Sequence, residues 1–79
     1  MDTKEKIKNV IVNLLKVKSE EIKDDVALEQ SIGIDSTEMV ETTIALEKEF
    51  GMKLSAKEIT KSSTLDEIEK VIQSKIGKS

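Results

Sequence analysis

The segment IGIDSTEM, residues 32–39, contains Ser36, whose hydroxyl group is the side chain in this sequence best placed for a chemical role. Gly33 allows a turn where a larger side chain would be crowded, and Asp35 and Glu38 have the spacing of a helix capping box. Ser36 would then begin a helix, beside free N–H groups and the positive end of the helix dipole, where a phosphate is favoured. The segment predicts a cap that presents a modifiable serine; an ordinary cap with no further meaning is the plainer interpretation.

Side chains that could activate this hydroxyl are missing from the composition. The chain has no histidine, the usual general base, and no cysteine. The same absences remove the commonest zinc ligand, thiolate metal sites and disulfides, so we expect no metal. We therefore expect another enzyme to modify Ser36, and we expect the protein itself to be no enzyme.

Charge and hydropathy argue against several other classes of function. With one aromatic residue and a net charge of -3, neither base stacking nor phosphate-backbone binding is expected, so we predict no nucleic-acid partner. No apolar run approaches the roughly 20 residues of a membrane span, and the polar start is unlike a signal peptide, so we expect a cytoplasmic protein. Residues 20–50 carry ten acidic side chains and two lysines, which predicts an anionic surface. This surface could attract basic partners, or it could serve only to keep the domain solvated.

The elements that must position Ser36 follow from capping and periodicity. Four pairs with capping-box spacing precede apolar residues at helical spacing. These pairs are Asp2 with Glu5, Asp35 with Glu38, Ser55 with Glu58, and Thr64 with Glu67. The predicted helices cover about residues 3–16, 36–50, 56–61 and 65–75.

The connection over residues 17–35 is long for a compact domain, and its apolar side chains predict that it packs down and holds one helical turn. We predict an all-α four-helix bundle with a short third helix and a long first loop. It would form one domain over residues 1–79, ordered over about 3–76, with a short tail at 77–79.

Three stretches carry a resemblance to a known family: GIDSTEMVETTIALEKEFGMKL, KNVIVNLLKVKSEEI and TLDEIEKVI. Together they closely resemble the acyl carrier protein family, in register from about Thr3 to Ile76. The resemblance implies that Ser36 receives 4′-phosphopantetheine from coenzyme A through a phosphodiester, and that Asp35 helps to present it to a phosphopantetheinyl transferase. The protein would carry acyl groups as thioesters for fatty-acid, lipid or polyketide-type biosynthesis, in a specialised pathway.

The resemblance also implies a partner surface on the second predicted helix. Glu38, Glu41 and Glu47 match acidic positions that meet basic patches on partners such as the transferase, acyl synthetases and ketosynthases. Val40 and Ile44 match positions of apolar partner contact. Solubility is the alternative role for the glutamates, and core packing is the alternative for Val40 and Ile44.

A storage pocket for the acyl chain is a further expectation, with Met39, Leu46, Met52 and Ile59 as its lining. Several residues depart from the family pattern, and two of them lie at the serine and at the expected pocket. Thr37 stands where the family usually has leucine, and Ser62 stands where it has a branched apolar residue that lines the pocket.

Two other functions stay open beside the acyl carrier. An aminoacyl, D-alanyl or peptidyl carrier would share the bundle and the serine, whereas a helical interaction domain would leave Ser36 unmodified. In each case we expect a monomer.

Overall fold

The computed structural model describes residues 2–76, and these residues form an all-α fold. Four α-helices follow one another within this range: α1 at Thr3–Leu15, α2 at Leu28–Ser31, α3 at Ser36–Phe50 and α4 at Leu65–Ile76. A 3-10 turn lies at Ser19–Glu21, and residues 2–76 contain no strand. The predicted fold class is confirmed, while the predicted tail at 77–79 lies outside the described residues.

Capping at the helix ends follows the sequence closely. The Asp2 carboxylate accepts the N–H of Glu5 at 3.0 Å at the start of α1. Thr64 and Glu67 form a reciprocal capping box at the start of α4, with distances of 2.8 and 3.1 Å. Each contact satisfies a backbone donor that the helix itself leaves without an acceptor.

The predicted helix over residues 56–61 is wrong, because this stretch folds into turns. The Thr60 N–H donates to the Ser63 hydroxyl, and the Ser62 N–H donates to the Thr60 hydroxyl. Serine and threonine side chains here compete with the helix for backbone donors. The Glu58 N–H donates to the Ser55 carbonyl at 3.1 Å, and the Glu58 carboxylate lies 2.9 Å from Lys75 Nζ. The short helix among the four is α2, inside the long first loop.

The core consists of aliphatic side chains from every helix and from the loops between them. Helix α1 packs against both α3 and α4. The fully buried residues include Ile7 and Ile11 of α1, Leu46 of α3, and Ile68 and Ile72 of α4. The first loop packs down as predicted, since Ile22, Leu28 and Ile34 are all buried.

Ion pairs tie the first loop to two helices. Lys4 Nζ lies 2.7 Å from Asp66 Oδ1 and 3.3 Å from Asp24 Oδ2, and Lys8 Nζ lies 3.5 Å from Asp24 Oδ1. The Asp66 N–H also donates to the Asp24 carbonyl at 3.1 Å. These contacts hold the loop between α1 and α4.

Among residues 2–76, no helix is both long enough and apolar enough to span a membrane. The same residues contain no cluster of acidic side chains that could hold a metal ion.

Candidate functional site

The start of α3 is built by a complete capping box. The Glu38 N–H donates to Asp35 Oδ1 at 2.7 Å, and the Asp35 N–H donates to Glu38 Oε1 at 3.1 Å. Asp35 is extended, and its carbonyl accepts the N–H of Met39 at 2.9 Å. Both carboxylates are therefore used to fix the turn that precedes Ser36.

Glycine suits position 33 for a reason different from the one that the sequence indicated. Its φ of +67° lies in the left-handed region, but a Cβ built on it would meet nothing within 4 Å. Crowding is therefore not the constraint, and that part of the prediction is wrong. The constraint is the backbone conformation itself, which glycine adopts without a steric penalty.

Ser36 is the first residue of α3, and its side chain is exposed. Within residues 2–76 its hydroxyl makes no hydrogen bond, and the N–H groups of Ser36 and Thr37 have no acceptor. Two open N–H groups at the positive end of a 15-residue helix suit a phosphate attached to this hydroxyl. The residues present thus fit a phosphodiester-linked group at Ser36, next to the Asp35 cap.

A groove of about 640 Å³ begins at Ser36 and runs along α3. One side is formed by α3, through Met39, Val40, Thr43, Ile44 and Glu47. The other side comes from residues 54–63, which we call the wall segment, through Leu54, Ala56, Ile59, Thr60, Lys61 and Ser62. The groove therefore joins the modifiable serine to a largely aliphatic surface.

Most polar side chains along this groove already hold a hydrogen bond within the protein. Thr43 Oγ1 donates to the Met39 carbonyl, Glu47 Oε2 accepts the Leu54 N–H, Thr60 Oγ1 accepts the Ser62 N–H, and Ser62 Oγ donates to Glu29 Oε2. Their distances lie between 2.8 and 3.2 Å. Only Ser36 and Lys61 are left with polar side-chain groups that bond to nothing in the described part of the chain. A ligand in the groove would thus meet mainly apolar surface.

The four predicted pocket residues divide into two pairs. Met39 and Ile59 line the groove, whereas Leu46 is fully buried in the core and Met52 packs against that core. The prediction missed Thr43, Leu54 and Ala56. Their place in the lining depends on the wall segment folding back on α3, which no local pattern indicates.

The predicted acidic residues of α3 point in different directions. At about 100° per residue, Glu38 lies opposite Glu47 around the helix, and Glu41 lies between them. Glu38 is used in the capping box, and Glu47 is half-buried with one oxygen bound to the Leu54 N–H. Glu41 is exposed, and its carboxylate makes no hydrogen bond or ion pair with any other residue described. The three carboxylates therefore do not form one surface.

Val40 and Ile44 stand on the exposed side of α3. Their exposed fractions are 54% and 47%, so core packing does not explain them. They also form the outer edge of the groove beside Ser36. An exposed apolar pair next to the modifiable serine is suited to contact with another protein.

Comparisons with known proteins point to one family. A family model described as a phosphopantetheine attachment site matches residues 5–72, a range that includes Ser36. The chain is also 32% identical over 73 residues to an acyl carrier protein of Petrotoga mobilis. That match covers 92% of this chain and 86% of the relative.

Proposed function

The chain belongs to the acyl carrier protein family, whose cofactor is 4′-phosphopantetheine, and from this premise we propose that Ser36 is the attachment site. We propose further that this single carrier domain delivers acyl groups to enzymes of fatty-acid, lipid or polyketide-type biosynthesis, and that it performs no catalysis itself. When bound, the arm supplies a terminal thiol that holds the acyl group as a thioester. The chain has no cysteine that could do this.

The observation that carries the proposal is the exposed Ser36 hydroxyl at the first position of α3. Next to it lie two N–H groups without an acceptor among residues 2–76, and the positive helix end favours the phosphodiester that attachment would create. Thr37 presents a second exposed hydroxyl one position along. Because the capping box fixes the turn just before Ser36, the proposed site has a rigid support.

The residues around Ser36 orient it and do not activate it. The carboxylates of Asp35 and Glu38 are held by each other's backbone N–H groups, and the chain has no histidine. The base that removes the proton from Ser36 Oγ is thus expected on the transferase.

The groove favours an acyl cargo over an aminoacyl one. Its apolar surface would stabilise an aliphatic chain by about 0.8 kcal/mol for each CH2 removed from water. The ammonium group of an aminoacyl cargo would need a carboxylate to pair with. Glu47 is the carboxylate in the lining, and it already accepts the Leu54 N–H. Met39 and Ile59 are the residues we propose for contact with the chain.

The proposed partner surface consists of Val40, Ile44 and Glu41. The apolar pair supplies contact area, and the free carboxylate of Glu41 supplies attraction for a basic group on the transferase, an acyl synthetase or a ketosynthase. Glu38 and Glu47 contribute charge at a distance, since their carboxylates are engaged within the protein.

The attachment site is tested by intact mass after incubation with coenzyme A and a broad-specificity phosphopantetheinyl transferase. We expect a mass increase equal to one phosphopantetheine on the wild-type chain and on Thr37→Ala, and none on Ser36→Ala. Thr37→Ala is the matched control because it removes the neighbouring exposed hydroxyl. A wild-type chain that stays unmodified, or a modified Ser36→Ala chain, would contradict the proposal.

The partner surface predicts a salt-dependent effect of Glu41. We expect Glu41→Gln to lower kcat/KM of the transferase about threefold at low salt, because an attractive charge pair is lost. The difference should shrink above about 0.1 M salt, where exposed charges are screened over roughly 10 Å. Glu20→Gln, an exposed glutamate outside α3, should leave the rate unchanged. Equal rates for Glu41→Gln and wild type at low salt would argue against this surface.

A further inference from the structure

Lys61 is the one cation among the groove-lining residues in the described part of the chain. Its side chain is exposed, and its ammonium group makes no hydrogen bond or ion pair with another described residue. The other free polar group of the lining is the Ser36 hydroxyl, where the proposed phosphodiester would add a negative charge. A free cation and the attachment point of an anion thus share one groove.

The course of the wall segment places Lys61 toward the Ser36 end of the groove. The segment begins where the Leu54 N–H donates to Glu47 at 2.8 Å, about 16 Å along the α3 axis from Ser36. It then returns to α2, where the Lys61 carbonyl accepts the Glu29 N–H at 2.9 Å. Helix α2 ends five residues before Ser36, so the chain that contacts Lys61 leads directly to the serine.

Hydrogen bonds on both sides of Lys61 fix its backbone and leave its side chain free. The Thr60 N–H donates to the Ser63 hydroxyl at 3.0 Å, and the Ser63 N–H donates to the Thr60 carbonyl at 2.9 Å. The Ser62 N–H donates to the Thr60 hydroxyl at 3.2 Å, and the Ser62 hydroxyl donates to Glu29 Oε2 at 2.8 Å. The carboxylate that this turn meets on α2 is therefore engaged by Ser62 and forms no ion pair with Lys61.

We propose that Lys61 is a positioning residue for the phosphopantetheine arm, and that its ammonium group binds the phosphodiester that joins the arm to Ser36. This inference rests on the proposed function for the attachment itself. The open N–H groups at the start of α3 bind the phosphate from the helix, and Lys61 binds it from the wall segment through a charge-assisted hydrogen bond. Contacts from both sides restrict rotation about the Ser36 side chain, so the arm leaves the protein in a narrower range of directions.

Competitive acetylation with limiting acetic anhydride, read by peptide mass spectrometry, tests the contact in the unmodified and the phosphopantetheinylated protein. An ammonium group that binds an anion reacts more slowly, because the amine must lose its proton before it attacks. We expect Lys61 to react about two- to fivefold more slowly once the arm is attached, the range of an exposed ion pair. Lys57 is the matched control, because it is an exposed lysine of the same segment that does not line the groove. An unchanged Lys61 rate, or equal slowing of both lysines, would overturn the proposal.

A second measurement separates a charge contact from covering of Lys61 by the arm. The transverse relaxation rate of the phosphodiester 31P nucleus reports how far the phosphate is restricted. We expect Lys61→Gln to lower this rate, whereas Lys61→Arg, which keeps the charge, and Lys57→Gln should both stay near the wild-type value. An unchanged rate in Lys61→Gln would contradict the contact. An equal loss in Lys61→Arg and Lys61→Gln would show that charge is not its basis, and that result would overturn the proposal too.

Folding and loading are checked on the same samples. Because Lys61 is exposed, its substitutions should leave the urea midpoint unchanged. Intact mass shows whether the arm is attached to each variant. A folded wild-type chain that takes up no arm would overturn the proposed function and this inference together. A loaded chain without an effect at Lys61 would overturn the role of Lys61 alone.

Discussion

At the scale of single residues, identical side chains on α3 have different roles because their surroundings differ. Glu38 fixes the turn before Ser36, and Glu47 holds the start of the wall segment. The Glu41 side chain is exposed and makes no hydrogen bond or ion pair with the other described residues. A carboxylate that already accepts a backbone N–H offers less to a partner than a free one does. Of the three glutamates predicted for the partner surface, Glu41 is the one whose carboxylate is free for a partner, and the surface stays a prediction.

Gly33 allows a test at the same scale. We expect Gly33→Ala to lower the free energy of unfolding by about 1 kcal/mol, because alanine pays a steric penalty in the left-handed region. Urea unfolding measures the loss, and Gly33→Asn should lose less because asparagine tolerates this conformation. Since a Cβ at this position has open space, a loss of several kcal/mol would show that the conformational account is incomplete.

At the scale of elements, α3 combines a core face, a groove face and an exposed face in one helix. Its core face includes the fully buried Thr42, whose hydroxyl donates to the Glu38 carbonyl at 2.9 Å. Thr43 makes the same contact with Met39 one position along. Both hydroxyls donate to carbonyl groups of their own helix, so they can pack against the core without a hydrogen-bond acceptor from another element.

Thr42 and Leu46 should respond differently to substitution. We expect Thr42→Val to change the free energy of unfolding by less than about 1.5 kcal/mol, because it removes the hydroxyl while keeping the shape. Leu46→Ala should cost about 2 to 5 kcal/mol, because it leaves a cavity in the core. Urea unfolding of both variants makes the comparison. A loss for Thr42→Val as large as that for Leu46→Ala would mean that the hydroxyl contributes more than its own helix contact.

At the scale of the whole molecule, charge pairs link elements that are far apart in sequence. Lys4 joins the first loop and α4 to α1, and Lys75 joins α4 to the wall segment. Hydrogen bonds from Asp66 and Asp24 outweigh burial and raise the pKa of Lys4. Burial raises the pKa of Asp24, but Lys4 and Lys8 outweigh it and the net pKa is lowered; the hydrogen bond from Lys75 lowers the pKa of Glu58.

These shifts predict how stability depends on pH. Because the pKa values of Asp24 and Glu58 are lowered on folding, their contribution is present above their ordinary values of 3.8 and 4.5 and is lost as pH falls below them. Because the pKa of Lys4 is raised, its contribution is present below 10.5 and is lost only as pH rises further. The urea midpoint should therefore be flat with respect to these groups between about pH 5 and 10 and should fall outside that window.

Lys4→Met tests the contribution of the ion pairs that Lys4 forms with Asp24 and Asp66. It should have a lower urea midpoint than wild type at pH 7 and a smaller further fall in acid, because Asp24 then keeps only Lys8 as a partner. Lys53 is an exposed lysine with no hydrogen bond or ion pair among the described residues, so Lys53→Met should follow the wild-type curve. Parallel curves for Lys4→Met and wild type would contradict the role given to this ion pair.

The amino-acid sequence by itself determined the helices that carry their own signals. The caps at Asp2, Asp35 and Thr64 and the aliphatic stripes behind them are local, so the bounds of α1, α3 and α4 could be predicted to within a residue or so. Ser36 was likewise identified as the first residue of α3, because the Asp35–Glu38 box lies within four residues. The helix prediction over residues 56–61 was wrong for a local reason too. Serine and threonine hydroxyls accept backbone N–H groups there that would otherwise bond to carbonyls of a helix.

Only the tertiary structure decided what surrounds the serine. The groove exists because the wall segment returns to α3, and the contact between Glu29 and Ser62 spans 33 positions of the chain. The same long-range packing turned Glu47 inward, exposed Val40 and Ile44, and placed Leu46 in the core and not in the groove. Periodicity reports which residues of a helix are apolar, but the partner that each face meets depends on contacts between distant segments, which no local pattern encodes.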